Sequence, residues 1–126
     1  MHIRAATVAH LAAIVTCSNL AFAPFAGTAD EDTGDLHLAT NLRSQIHEGS
    51  IRLICDGTEV LGYISFWPTA DNMFVDTLAV LPKHHRRGLG SELLAFADFE
   101  TQRLGLKAIT LFTKARMTGN LRFYQS

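Results

Sequence analysis

The residues best suited to chemistry lie in one stretch, Val80-Leu81-Pro82-Lys83-His84-His85-Arg86-Arg87-Gly88-Leu89-Gly90-Ser91. Gly88 and Gly90 lack a Cβ, so the backbone can turn tightly and expose its N–H groups. Where a helix begins, those N–H groups and the helix dipole both favour an anion. Arg86 and Arg87 add fixed positive charge beside the same loop. The pattern reads as a cradle for a diphosphate. It is not a Walker loop, because the Gly-Lys-Ser/Thr ending is absent. It is not a dinucleotide fingerprint, because Leu93 stands where a third small residue is required. For a bare Gly-x-Gly, a simple strand-to-helix turn with two solvated arginines would be the better reading. Here the loop follows an apolar strand closed by Pro82 and opens an amphipathic helix, which favours phosphate. The neighbouring pair His84-His85 lacks the i,i+4 spacing and third ligand of a zinc site, so no metal is expected.

The elements that must hold this loop follow from periodicity. Residues 2–6 predict a short strand. Residues 8–22 predict a helix capped by Thr7, with Leu11, Ile14, Val15 and Ser18 on one side. Residues 23–34 collect Pro, Gly, Thr and acids and predict a loop. Leu38, Leu42 and Ile46 recur at helical spacing over 35–48, and Gly49 supplies a stop. The period then changes to two. Residues 51–55 predict a strand, Asp56-Gly57 a hairpin turn, and 60–67 the return strand ended by Pro68. After a turn at Asp71-Asn72, residues 73–81 are mostly apolar and predict an interior strand. Residues 88–103 predict a helix with Leu89, Leu93, Phe96 and Ala97 inward. Residues 107–112 predict a further strand, and the segment from Met117 a last helix. The order β-α-α-β-β-β-α-β-α predicts an α/β protein with a mixed sheet flanked by helices.

Length and composition limit the alternatives. The chain has 126 residues, enough for a single domain spanning 1–126. It is 48% apolar and 18% charged, which excludes a disordered chain. Its formal net charge is −1, so there is no basic excess for nucleic acid. No run of 18 apolar residues occurs, so no membrane span is expected. The region 5–26 is apolar, and Ala21-Phe22-Ala23 has the form of a cleavage site. However, a single Arg4 precedes it, and His10, Ser18 and Asn19 interrupt it, so a secretion signal is not expected. Cys17 and Cys55 form no CxxC pair and read as reduced, buried thiols of a cytoplasmic protein.

With these residues in view, the chain resembles the GCN5-related N-acetyltransferase superfamily. Val-x-Pro followed by RRGLG and then Leu93-Leu94 is similar to that family's Gln/Arg-x-x-Gly-x-Gly/Ala motif. The motif's first position falls here on His85, a departure that touches one phosphate contact and leaves the backbone cradle intact. The segment TKARMTGNLRFY at 113–124 and the opening Ile3-Arg4-Ala5-Ala6-Thr7 also resemble the family, so the likeness covers nearly the whole chain.

The resemblance implies the acyl-CoA N-acyltransferase fold, with acetyl-CoA between the strands at 73–81 and 107–112. It implies pantetheine pairing with the backbone of Leu78, Ala79 and Val80. The pyrophosphate would rest on residues His85, Arg86, Arg87, Gly88, Leu89, Gly90 and Ser91, and Asn120 would touch the cofactor from the last helix. It also implies Tyr124 as the acid that protonates the leaving thiolate, with simple packing the competing role. The backbone N–H of Leu78 or Val80 is the oxyanion donor. Asp76, on the central strand, is a candidate base or substrate-orienting group. It would share a face with Leu78 and Val80 if side chains alternate. Asp30, Glu31 and Asp32, with Asp35 close by, are the rival groups for binding a cationic substrate, and a water chain to solvent is a third route. Of Phe66 and Trp67, one is expected in the core and the other at the acceptor pocket.

The expected activity is acetyl transfer to a small-molecule or peptidyl primary amine by direct attack in a ternary complex. A non-catalytic acyl-CoA-binding module, a truncated inactive member and an unrelated phosphate binder are the alternatives. The family continues past this tyrosine into a β-hairpin, whereas the sequence stops at Gln125-Ser126. On that expectation the strand at 107–112 keeps an open edge, which a partner strand in a homodimer could cover.

Overall fold

The computed structural model describes residues 2–21, 31–84 and 87–111, with residues 31–38 described as backbone alone. The elements are β1 (His2–Ala5), a 3-10 turn (Val8–His10), α1 (Leu11–Ala21), α2 (Glu31–His47), β2 (Ile51–Asp56), β3 (Glu59–Thr69), β4 (Asn72–Val80), a second 3-10 turn (Pro82–His84), α3 (Leu89–Arg103) and β5 (Ala108–Leu111). They form one five-stranded sheet in the order β1-β2-β3-β4-β5. β1 to β4 run antiparallel to their neighbours, and β5 joins β4 in parallel. This is the mixed α/β architecture that the periodicity predicts, with β4 inside the sheet. The last helix expected from Met117 lies outside the described residues.

Each helix buries the stripe its sequence marks out. α3 puts Leu89, Leu93 and Ala97 against Ile54, Ile64, Phe66, Val75, Leu78 and Val80. On the opposite face, α1 and α2 bring Ile14, Cys17, Ala21, Leu42 and Ile46 onto Ile51, Leu53, Cys55, Tyr63 and Ala79. The apolar segment near the N-terminus therefore supplies one of the two cores. Thr7 opens it as expected, but through an unusual partner: its backbone N–H donates to Nδ1 of His10 at 3.0 Å. In a capping box that acceptor is ordinarily a Glu or Gln.

Four boundaries differ from the sequence reading. α2 begins at Glu31, inside the segment expected to be a loop. Acids such as Glu31, Asp32 and Asp35 are turn formers by composition, yet the first turn of a helix also favours them through its dipole. β3 runs through Pro68, which pairs with Met73, to Thr69. β2 accompanies β3 only as far as Ser65, so Pro68 sits where one flank of the strand is free of β2. The β2–β3 turn is Gly57–Thr58, between the pair Asp56 and Glu59, and the β3–β4 turn is Ala70–Asp71.

One irregularity decides which way the β4 side chains point. Ser65 pairs with Thr77 and Phe66 with Val75, so Asp76 is an extra residue on β4. Such a bulge shifts the alternation by one. Met73 and Val75 before it, and Leu78 and Val80 after it, consequently all face α3.

Candidate active site

β4 ends at Val80 and passes through the Pro82–His84 turn to α3. Gly88 is the residue before the helix, at φ 77 and ψ 11, in the left-handed region. A side chain there would meet no atom within 4 Å but would strain the backbone. The first i→i−4 bond of α3 runs from the Glu92 N–H to the Gly88 carbonyl at 3.0 Å. The N–H groups of Leu89, Gly90 and Ser91 come before that bond and have no intrahelical acceptor. Gly88 offers no side-chain cap to them. Leu89 and Gly90 are buried against the sheet, which fixes the direction of the three donors. Donors without intrahelical acceptors at a helix start are a geometry suited to an anion. His85 and Arg86 lie outside the described residues.

Arg87 is exposed and donates through Nη1 to Nδ1 of His84 at 2.7 Å. His84 Nε2 lies 3.8 Å from Glu59 Oε2. Lys83 Nζ reaches the same carboxylate at 3.1 Å. Its hydrogen bond and charge hold the Glu59 carboxyl below its ordinary value, with a smaller contribution from His84. Glu59 thus ties the turn before the cradle to the start of β3.

The edge of β4 supplies the second half of the site. Among the described residues β5 accompanies β4 from Asn72 to Val75. The Ala79 carbonyl faces β3, close to Gly62, and the Leu81 N–H donates to the Leu61 carbonyl at 2.9 Å. Backbone groups alternate sides along a strand, so those of Leu78 and Val80 face the opposite edge. The side chains of Leu78 and Val80 are buried toward α3, and that of Ala79 toward α1.

Asp76 does not share a face with Leu78 and Val80. Its Oδ2 accepts from the Thr77 hydroxyl at 3.1 Å, a contact between chain neighbours that the bulge allows. The carboxylate therefore lies on the α1 side of the sheet, beside Tyr63. Tyr63 is fully buried there, and its Oη has no directed hydrogen-bond partner, although the hydroxyls of Ser18 and Thr77 flank it. Burial first, and the neighbouring Cys17 and Asp76 next, push the phenol well above its ordinary value. The Cys17 thiol is pushed up to about 12 by burial and makes a long 3.9 Å contact to the Ala79 carbonyl. Cys55 is also buried and raised, with Arg4 opposing the shift. Of the aromatic pair, Phe66 is the core residue, edge-on to Phe96, and Trp67 is half-exposed against Phe74 at 5.4 Å.

Tyr63 and Thr77 are not singled out by the sequence, and Ser18 appears there only as part of the α1 stripe. Tyr63 reads there as one more aromatic in an apolar strand, and only the pairing of β3 with β4 brings the three hydroxyls together. Asn120 and Tyr124 lie outside the described residues, as does Asp30. The side chains of Glu31, Asp32 and Asp35 are likewise not described.

Known proteins share this arrangement. The coenzyme A complex of a PaiA N-acetyltransferase from Thermoplasma acidophilum superposes with a TM-score of 0.82 at 15% identity, over 98% of this chain and 86% of the other. An acetyltransferase of the GNAT family from Brucella melitensis, in complex with acetyl-CoA, gives 0.68 at 19% identity, over 87% and 73%. N-acetylglutamate synthase from Neisseria gonorrhoeae, complexed with coenzyme A and N-acetyl-glutamate, gives 0.74 at 16% identity, over 99% of this chain and 27% of that one. At such identities the likeness shows the fold. A search of curated proteins finds no match. The sequence profile of the acetyltransferase (GNAT) family matches residues 15–126, most of the chain. On that match and this fold, the chain belongs to the GNAT acetyltransferase family.

Proposed function

We propose that the protein transfers an acetyl group from acetyl-CoA to a primary amine by direct attack in a ternary complex. The observation that carries this reading is the left-handed Gly88, which opens α3 and leaves three N–H donors beside the outward edge of β4. A diphosphate fits the donors, and a pantetheine chain fits an edge whose Leu78 and Val80 backbone groups face away from β3. Arg86 and Arg87 add charge for the phosphates, and Asn120 a further contact to the cofactor.

In this reading Asp76 orients the amine or accepts its proton. The amine nitrogen then bonds to the thioester carbonyl carbon. The N–H of Leu78 or Val80 stabilises the charge that develops on the carbonyl oxygen. The C–S bond breaks, and Tyr124 gives its proton to the departing thiolate, whose ordinary pKa is near 8.5. Glutamate, the free amine corresponding to the N-acetyl-glutamate of the Neisseria complex, is a natural first probe. The two free, buried cysteines support a reducing compartment, and we extend the proposal to a cytoplasmic location.

The test is a thermal-shift and thiol-release assay with acetyl-CoA and a panel of spermidine, glutamate and a lysine-containing peptide. Stabilisation by acetyl-CoA, with coenzyme A released on at least one amine, is the expected result. The absence of stabilisation would overturn the reading. Stabilisation without release on any amine, with the panel widened, would replace the enzyme by an acyl-CoA-binding module. In the active case Tyr124→Phe lowers turnover and leaves acetyl-CoA affinity nearly unchanged.

A further inference from the structure

A row of hydroxyls crosses the sheet on the face away from α3. Ser18 comes from α1, Tyr63 from β3 and Thr77 from β4, and all three are almost fully buried. The row ends at the half-buried carboxylate of Asp76, to which Thr77 Oγ1 donates at 3.1 Å. The neighbouring layer is made of Ile14, Cys17 and Ala79, and the fully buried Ser65 stands across the ladder from Thr77. A buried hydroxyl without a partner is unfavourable, and Phe at Tyr63 or Val at Thr77 would fill nearly the same space without that cost. The bulge adds a second sign of construction. On a regular strand Asp76 and Thr77 would point to opposite faces.

We infer that Thr77 is a positioning residue for Asp76. The bulge puts Asp76 and Thr77 on the same face, and Thr77 fixes one oxygen of the carboxylate. The free Oδ1 is thereby presented in one orientation to the acceptor amine. The inference rests on Asp76 being the group that meets the amine, as proposed above.

Thr77→Val keeps the shape and removes the donor. With acetyl-CoA and the most active amine of the panel, kcat falls about ten-fold, the scale of one hydrogen bond to a charged group. KM for acetyl-CoA stays within about two-fold, because Thr77 faces away from the cradle. Thr77→Ser restores the donor and the rate, which a packing role alone would not produce. Loss of rate in Asp76→Asn together with full activity in Thr77→Val overturns this inference and leaves the function intact. An unchanged rate in Asp76→Asn removes Asp76 from the mechanism and the inference with it.

A readout free of turnover completes the test. In protein labelled with 13C at aspartate, the Asp76 carboxyl signal moves in Thr77→Val and returns in Thr77→Ser. A signal identical in all three proteins overturns the proposal, whatever the kinetics.

Discussion

Replacing Gly62 by alanine tests the link between β3 and the edge of β4 proposed to meet the cofactor. Gly62 pairs with Val80, and a Cβ built on it stands 2.7 Å from the Ala79 carbonyl oxygen. The Val80 Cα and Cγ2 atoms are each 3.2 Å away. Ordinary contacts begin near 3.4 Å. Because the nearest atoms are backbone, relief requires β3 and β4 to move apart. Overpacking of this kind costs about 1–3 kcal/mol. The reduced freedom of the unfolded chain returns about 0.4–1 kcal/mol. The net loss spans about 0–2.6 kcal/mol and centres at about 1.3 kcal/mol, or roughly 5 °C in Tm for a domain of this size. The strand that shifts carries Leu78 and Val80, so acetyl-CoA affinity falls with stability, by about ten-fold if the strain is relieved at that edge. The assay is a thermal melt with and without acetyl-CoA, followed by a titration of the same samples. A variant within about 1 °C of the parent in Tm, with unchanged affinity, would refute the reasoning that this close approach sets the edge.

Three further outcomes are expected. Gly88→Ala forces a left-handed alanine at a site with free space, so about 1–2 kcal/mol is lost to backbone strain alone; Gly88→Asn loses less, and equal losses in melts of the two variants would contradict this. Cys17 is raised from 9.0 to about 12, so its protonated form contributes stability that is complete below pH 9 and disappears as pH rises toward 12. At about 1.4 kcal/mol per pH unit that amounts to roughly 4 kcal/mol, and in urea titrations from pH 8 to about 11 Cys17→Ala flattens the alkaline slope; an unaltered slope removes the thiol from the account. Leu93→Ala empties a fully buried position between α3 and the sheet and costs about 2–5 kcal/mol by denaturant melt, whereas a cost under about 1 kcal/mol would mean that α3 closes over the gap.

The sequence made the cradle legible because its signals are local. Pro82, the two glycines and the stripe Leu89, Leu93, Ala97 lie within a few residues of one another, and strand end, turn and helix start each depend on nearest neighbours. The stripes of α1 and α2 were legible for the same reason, through Ile14, Ser18, Leu42 and Ile46. The start of α2 was not, since acids between a Pro-Gly segment and a helix suit both a loop and a first turn. Pro68 misled for a related reason: a proline ends a strand only where its missing N–H is needed, and that depends on what lies beside it.

Asp76 marks the limit. Its sequence position places it on the strand that leads to the cradle, and no periodicity in MFVDTLAVL shows that the register slips there. The bulge exists because Ser65 meets Thr77 while Phe66 meets Val75. That is a relation between two strands. Residue types and spacing thus determined a glycine turn at a helix start, the family likeness and two helical faces. Only the folded sheet decided that Asp76 turns to the α1 side, that Thr77 holds it and that Tyr63 lies buried beside them. The face a strand residue takes is set by its partner across the ladder, which its own neighbours in the chain do not specify.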